Sequence, residues 1–322
     1  MKYRRLSAQG PVVSAIGFGC MGLSGWYGQV EESAAVAIIQ RAVAEGMTLF
    51  DTADMYGRGH NELLLGMALK GQRHRVVLST KCGLQWEGDS VRLRNDPEYI
   101  MQACNASLQR LGTDYIDIYH LHRVDQEIPI EPALQAMLSL LHAGKIRYIG
   151  LSEVGPETLI KAQEILGDKL VCLQSEYSLV NHHDAEKVLP ACRRAGIGFI
   201  AHAPLARGLL GGDLQRGTDF RQQPTWDVRI LSQQFDQDAL DANLNFVEAL
   251  TSIAHAKNCT VAQLALAWAL CRGEDVVPIP GMTHIEHLTE NLYALEISLS
   301  PEDLAGIEEA QSTYPIRGER LI

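Results

Sequence analysis

The chain has 322 residues, 46 % of them hydrophobic and 21 % charged, and 28 basic against 39 acidic side chains leave a net charge of −11. That is an ordinary globular composition, long enough to bury most of its apolar surface, and without a basic face it excludes a general nucleic-acid-binding surface. Seven cysteines, widely spaced and never in a CxxC pair, read as reduced core thiols of a cytoplasmic protein rather than a disulfide framework.

The start, MKYRRLSAQG, carries positive charge with no apolar stretch behind it, so it does not read as a secretory signal. YRRLSAQGPVVSAIGFGCMG predicts two short strands turned at Gly10–Pro11 and then a third strand. In EESAAVAIIQRAVAEG, Ala35, Ile38, Ile39, Ala42 and Val43 fall on one helical face. Glu31 and Glu32 open the first turn and Gly46 follows the last. The pattern then recurs. Apolar runs TLF (48–50), VVLST (76–80), YIDIYHL (115–121), IRYIGL (146–151), LVCLQ (170–174), GFIAH (198–202) and VVPIP (276–280) read as strands. Helical segments are expected at 60–70, 97–111, 131–143, 156–166, 184–195, 238–257 and 260–272. The most apolar of them, VAQLALAWAL (261–270), is far shorter than the roughly 20 residues of a membrane span and reads as a buried helix. SPEDLAGIEEAQ, from 300, has a Ser cap and a Pro at the first helical position, and predicts an extra helix outside the repeat.

Counting the strand before Gly19, eight strand-like runs end near residues 20, 50, 80, 121, 151, 174, 202 and 280. The early spacing of about thirty residues is that of one βα unit. Eight such units predict an α/β fold: a closed (β/α)8 TIM barrel, one domain over 1–322, with an N-terminal β-hairpin and an extra C-terminal helix. The alternative, an open doubly wound sheet, often carries GxGxxG after its first strand, and GFGCMG (17–22) lacks the third glycine in place. Residues 208–237, rich in Gly, Asp, Gln and Arg, read as a long functional loop.

In such barrels chemistry sits at the C-terminal strand ends. There the sequence places Asp51 and Tyr56, then Lys81, His120 and His122, Ser152, Gln174 and His202. A free tyrosine has a pKa of about 10, too high for acid–base work near neutrality. A lysine ammonium nearby favours the phenolate, an aspartate holds that lysine, and a histidine orients a substrate oxygen. Such a group would give a proton to a carbonyl, and a carbonyl that takes a proton usually also takes a hydride. His120 and His122 point the same way along a strand, so direction alone does not choose between them.

The pieces IGFGCMG, LFDTADMYG with NELLLG, STKCG, LGTDYIDIYHLHRVD, GKIRYIGLSE, LQSEYSL, APLARGLL and IPGMTHIEHLTENL, in this order, closely resemble the aldo-keto reductases over nearly the full length. The likeness is strongest to the bacterial and plant branch that includes auxin-induced-protein-like members. It implies Asp51, Tyr56, Lys81 and His122 as the catalytic four, His122 lying five residues after Asp117 as in the family pattern. It implies Ser152 and Gln174 on the nicotinamide carboxamide, and His202 where many members stack a tyrosine. Pro204, Leu205, Arg207 and Gly208 would follow the pyrophosphate. Met21, Asp51, Gly281, His287, Glu290 and Asn291 complete the implied cofactor contacts.

Besides His202, the pattern is broken at two places: Glu153 replaces the common asparagine, and the stretch after the eighth strand, Gly281, Met282, Thr283 and His284 with His287 further on, has no lysine or arginine to hold a 2′-phosphate. The family favours NADP(H), with NAD(H) the alternative. The expected activity is reduction of a small-molecule aldehyde or ketone. Alternatives are an NAD-dependent sugar or alcohol dehydrogenase and a cofactor-sensing regulatory subunit. Trp26, Trp86 and Trp226 are candidate walls of the substrate pocket, beside loops 22–30, 84–96 and 208–237. NHHD (181–184) reads as a helix start, so no metal is expected, nor any membrane contact. Oligomeric state leaves no mark in the pattern.

Overall fold

An antiparallel hairpin, β1 (Tyr3–Arg5) and β2 (Val12–Ser14), opens the chain in the computed structural model, which describes residues 1–321. Eight parallel strands follow, interrupted by a second hairpin. They are β3 (Phe18–Gly19), β4 (Leu49–Asp51), β5 (Val77–Cys82), then the hairpin β6 (Leu84–Glu87) with β7 (Ser90–Leu93), then β8 (Ile116–Leu121), β9 (Ile146–Ser152), β10 (Leu170–Glu176), β11 (Gly198–His202) and β12 (Val276–Ile279). The sheet order β12-β11-β10-β9-β8-β5-β4-β3 is simple neighbour pairing. Its two edges meet. Gly17 N–H donates to Pro278 O at 2.9 Å, Gly19 N–H to Pro280 O at 3.0 Å, and Gly19 bridges Gly281. A Cβ on Gly19 would lie 2.6 Å from Ile279 O, so the seam closes only because that position has none.

Helices α1 (Glu32–Ala44), α2 (His60–Ala68), α3 (Pro97–Leu111), α4 (Glu131–His142), α5 (Pro156–Leu166) and α6 (His183–Ala195) each lead to the next barrel strand. Local chemistry sets their ends. In α3, Asp96 caps the N-terminus through Tyr99 N–H at 2.9 Å, Pro97 occupies the first turn, and Gly112 ends the helix in the left-handed conformation. β5, β8 and β10 are buried or nearly so along their whole length, as a parallel sheet covered on both faces requires.

Two helices lie between β11 and β12: α7 (Gln237–Ala256) and α8 (Val261–Cys271). α8, opened by a Thr260–Gln263 capping box and apolar all round, covers the sheet. α9 (Ile285–Tyr293) follows β12. α10 (Pro301–Thr313) begins with a Ser300–Asp303 capping box and packs against α7. The expected extra helix therefore has a partner that the even spacing of the repeat did not distinguish from a barrel helix. The long loop is not structureless. Short 3-10 turns occupy Phe220–Gln222, Val228–Leu231 and Gln233–Phe235, the first two capped by Asp219 and Asp227.

The N-terminal hairpin plugs the barrel. Leu6 and Val13 pack with Leu49, Ile118, Ile200 and Val277 in the interior, and Ser7 bridges Ile197. With that end closed by apolar side chains, the opposite end, where all eight strands finish, is left for chemistry. Among the described residues no helix is long and apolar enough to cross a membrane.

Candidate active site

Asp51 and Lys81 end β4 and β5, neighbouring strands paired at Asp51↔Ser79. Both are buried, Lys81 completely. The Lys81 ammonium meets Asp51 Oδ1 and donates to Thr52 O at 2.8 Å. Asp51 Oδ2 accepts from Ser79 Oγ at 2.7 Å and from Gln174 Nε2 at 2.9 Å. Removing one member of such a pair strands the other charge in the interior, at about 3–5 kcal/mol. Burial depresses the lysine and Asp51 pulls it back, the second effect winning, so the ammonium is held above its ordinary range.

That ammonium lies 5.2 Å from the centre of the Tyr56 ring. Tyr56 is buried just beyond β4, where the backbone turns through positive φ at Gly57, Arg58 and Gly59. The phenol does not become acidic, contrary to the sequence expectation. Burial raises its pKa more than Lys81 lowers it, and Asp51 adds to the rise. Tyr56 is therefore a proton-bearing phenol over the neutral range.

His122 stands edge-on to Tyr56, ring centres 5.8 Å apart. Burial, Lys81 and Arg123 hold it well below the ordinary histidine range, so it is a neutral imidazole, and its Nδ1 is buried without a partner among the described residues. His120 is elsewhere. It lies in the barrel interior, with Nδ1 3.4 Å from Leu151 O and Nε2 3.9 Å from Cys172 Sγ. A Cβ on Gly150 would meet its ring at 2.4 Å. Burial pushes His120 down to about 4, the profile of a neutral core histidine.

The other expected residues surround this centre. Ser152 and Gln174 pair across β9 and β10. Met21, Trp26, Leu84 and Trp86 pack on the cluster of Ala53, Met55 and Tyr56. Trp86 Nε1 donates to Met55 O at 2.8 Å, so its ring is fixed by the chain that presents Tyr56. Trp26 meets Tyr56 at 6.0 Å and Trp226 at 5.6 Å, both edge-on, while Trp226 itself is 50 % exposed. The loops after β3 and β11 also join directly. Val228 N–H donates to Trp26 O at 2.8 Å, and Tyr27 bridges Asp227.

His202 Nε2 lies 2.7 Å from Glu153 Oε1, and Arg207 grips Glu176 at 2.8 Å. Around Pro204 and Leu205 the chain takes positive φ at Ala203, Ala206, Arg207 and Gly208. Such concentrated non-glycine strain persists only where the surroundings impose it, most often at ligand sites. Gly281 is exposed beside the barrel seam, and His287 packs edge-on to His284 at 5.2 Å. Glu290 Oε1 accepts the Thr260 hydroxyl at 2.7 Å, which ties it to the start of α8. Asn291 is buried with its Nδ2 unpartnered among the described residues.

Sequence reasoning missed a network of charges. Arg320, near the C-terminus, reaches Glu153 Oε2 at 3.2 Å, Glu176 Oε2 at 3.4 Å and Asp184 at 3.4 Å. Glu153 is held well below the ordinary carboxylate range; its burial opposes this, and His202, Arg123 and Arg320 outweigh it. The one hint in the sequence was the departure at Glu153 itself. His182 and His183 do start α6, but neither side chain caps it. They form a group with Glu186 whose ligand-type atoms lie within 4.8 Å, and Arg272 occupies Glu186 at 2.9 Å.

The aldo/keto reductase family model matches residues 15–312. The chain belongs to the aldo/keto reductase family. A probable aldo-keto reductase 1 of Glycine max is 41 % identical over 319 residues, covering 98 % of this chain and 90 % of that protein. Among solved structures, the glycerol dehydrogenase of Gluconobacter oxydans superposes with a TM-score of 0.87 at 26 % identity, covering 98 % and 96 % of the two chains. The holo form of an aldo-keto reductase from Bacillus halodurans gives 0.78 at 28 % identity, with 96 % of each chain covered. This aldo-keto reductase is accordingly an oxidoreductase of the (β/α)8 type, from a family that works on carbonyl groups with nicotinamide cofactors.

Proposed function

We propose that this chain reduces aldehydes or ketones to alcohols with NADP(H), Tyr56 giving the proton. The convergence of Asp51, Lys81, Tyr56 and His122 at one end of the barrel carries this reading. A nicotinamide cofactor, when bound, supplies the hydride. Its site would be made by Ser152 and Gln174 at the carboxamide, His202 at the ring, segment 203–208 at the diphosphate and Asn291 at the adenine. The buried, unpartnered Asn291 Nδ2 supports that fit, because such a donor lacks the acceptor that a purine edge offers.

The chain's own residues do the rest. As negative charge grows on the carbonyl oxygen, Tyr56 transfers its proton to that oxygen, and the Lys81 ammonium stabilises the phenolate left behind. Asp51 keeps Lys81 charged and aimed. Neutral His122 donates one N–H toward the same oxygen and orients it. Trp26 and Trp86 exclude water from the phenol. Steady NADPH oxidation with 4-nitrobenzaldehyde tests the reading; firm cofactor binding without turnover over a broad carbonyl panel would refute it.

A second reading, NAD(H)-linked alcohol oxidation, rests on one observation. No lysine or arginine occurs between Arg272 and Arg317, the stretch that carries β12 and α9. A 2′-phosphate would there find only Thr283, His284, His287 and the uncapped first turn of α9. The likeness to a glycerol dehydrogenase fits the oxidative direction equally. Dissociation constants for NADPH and NADH decide, and NADH binding tighter by tenfold or more would overturn the NADP(H) reading.

A further inference from the structure

Arg123 follows His122 directly, beyond the end of β8, and its guanidinium turns back toward the site. Nη1 donates to His122 O at 2.8 Å and lies 3.4 Å from Ser152 Oγ. Its backbone carbonyl is pinned by Asn95 Nδ2 at 3.1 Å, so the side chain starts from a fixed point. The guanidinium is thus held between the backbone carbonyl of His122 and the serine hydroxyl at the end of β9.

What sets Arg123 apart is that no carboxylate among the described residues is in contact with it, although Glu153 is near enough to favour its charge. Arg207, Arg229 and Arg320, three other arginines of this end, each grip a carboxylate within 4.0 Å. Arg123 has none among the described residues. Glu153 is near, but its oxygens are taken: Oε1 by His202 and by Glu176 N–H, both at 2.7 Å, and Oε2 by Arg320. Arg123 is half-buried, and a guanidinium there without a contacting carboxylate is costly. Burial lowers its hold on its proton, Glu153 and Tyr56 oppose this, and with Arg320 and Arg207 adding to the lowering the net direction is down. A bond to the His122 carbonyl alone would not require a positive charge; glutamine would serve. A guanidinium has a planar fork of donors matched to a carboxylate.

We propose that Arg123 is a specificity-determining residue that receives the carboxylate of a substrate, so that the preferred substrates are carbonyl compounds carrying an acid group beside or near the reacting carbon. The apolar walls Trp26 and Trp86 would take the rest of such a molecule. This rests on the carbonyl-reductase reading above and deepens it.

Two substrate pairs differing by one charge test it: phenylglyoxylate against its methyl ester, and 4-carboxybenzaldehyde against methyl 4-formylbenzoate. The wild-type enzyme, loaded with NADPH, should prefer the acid in at least one pair. In Arg123→Gln the ratio of acid to ester kcat/KM should fall at least tenfold in that pair, through KM, and Arg123→Lys should retain part of it. A smaller fall in both pairs overturns the proposal. So does an unmoved ratio with a tenfold weaker cofactor Kd, which would assign Arg123 to the cofactor. Should Arg123→Gln fail to fold, the wild-type comparison still decides, since ester preference in both pairs refutes the idea. Inactivity of the wild type toward 4-nitrobenzaldehyde as well would instead sink the carbonyl-reductase reading.

Discussion

At Tyr56 two opposed effects fix the protonation state. Burial penalises the phenolate, while the Lys81 charge that would favour it is shared with Asp51. The phenol therefore keeps its proton until charge develops on a bound carbonyl, which suits a group acting as an acid. Tyr56→Phe removes the proton but keeps the ring against Trp26 and Lys81. We expect kcat to fall by roughly 10²–10⁴ with cofactor Kd within twofold of wild type; turnover within tenfold would take the role from Tyr56. Three residues earlier, Ala53 is followed by Asp54, a carboxyl with no catalytic contact. Its Oδ1 is buried without a partner among the described residues and its Oδ2 accepts from Tyr99 Oη at 3.2 Å. Burial, with Glu62 beside it, pushes Asp54 up to about 8 from 3.8. The folded chain then holds a proton that the unfolded chain has released. Its contribution to stability is complete below about pH 4 and is lost as pH rises toward 8. Asp54→Asn removes this titration. Urea melts between pH 5 and 8 should show the wild type losing stability more steeply than the variant, by on the order of a few kcal/mol; parallel slopes would show that Asp54 titrates normally.

Elements were legible where the signal is periodic and local. Eight apolar runs, the early ones about one βα unit apart, give the barrel, and the helix expected at 97–111 is α3 to the residue. Pairings across long stretches of chain were not. The β6–β7 hairpin has mixed, half-exposed residues that carry no alternation. α7 shows the amphipathic pattern of any barrel helix, and only its packing on α10 sets it apart. Arg320 finds Glu153 and Glu176 across 167 and 144 residues, a distance at which one sequence has no means of matching charges. The same holds for the plug. Nothing local says that Gly198, at the start of β11, must lie against Leu6, yet a Cβ there would meet Leu6 O at 1.9 Å. Gly198→Ala forces the hairpin off the barrel floor, which should cost about 2–3 kcal/mol and lower Tm by about 5 °C. Because the active end is opposite, kcat should change less than twofold. A parallel loss of kcat would mean that the two ends are coupled.

The whole molecule is a cylinder stoppered at one end, whose other end gathers side chains from nearly every strand. The four residues proposed as catalytic were readable because each lies at or just beyond the end of a strand, so the fold alone brings them together. The state of Tyr56 and the lack of a carboxylate in contact with Arg123 among the described residues were not, because both depend on who else shares the space. The implied cofactor contacts run from Met21 to Asn291, so one bound molecule would tie the first βα unit to the last. Binding to the folded state alone stabilises it by mass action, by about 2.7 kcal/mol at a hundredfold excess over Kd, or roughly 5 °C in Tm. Asn291 separates this gain from ordinary stability. Its buried Nδ2 has no partner among the described residues, so Asn291→Leu, similar in size and without that donor, should leave the free protein as stable as wild type or slightly more. With the cofactor added at the same concentration, the variant's Tm gain should be less than half that of wild type. Calorimetric scans with NADP⁺ and with NAD⁺, at equal concentration, read both points at once. The larger shift names the preferred cofactor, expected to be NADP⁺, and an undiminished shift in the variant would place the adenine away from Asn291.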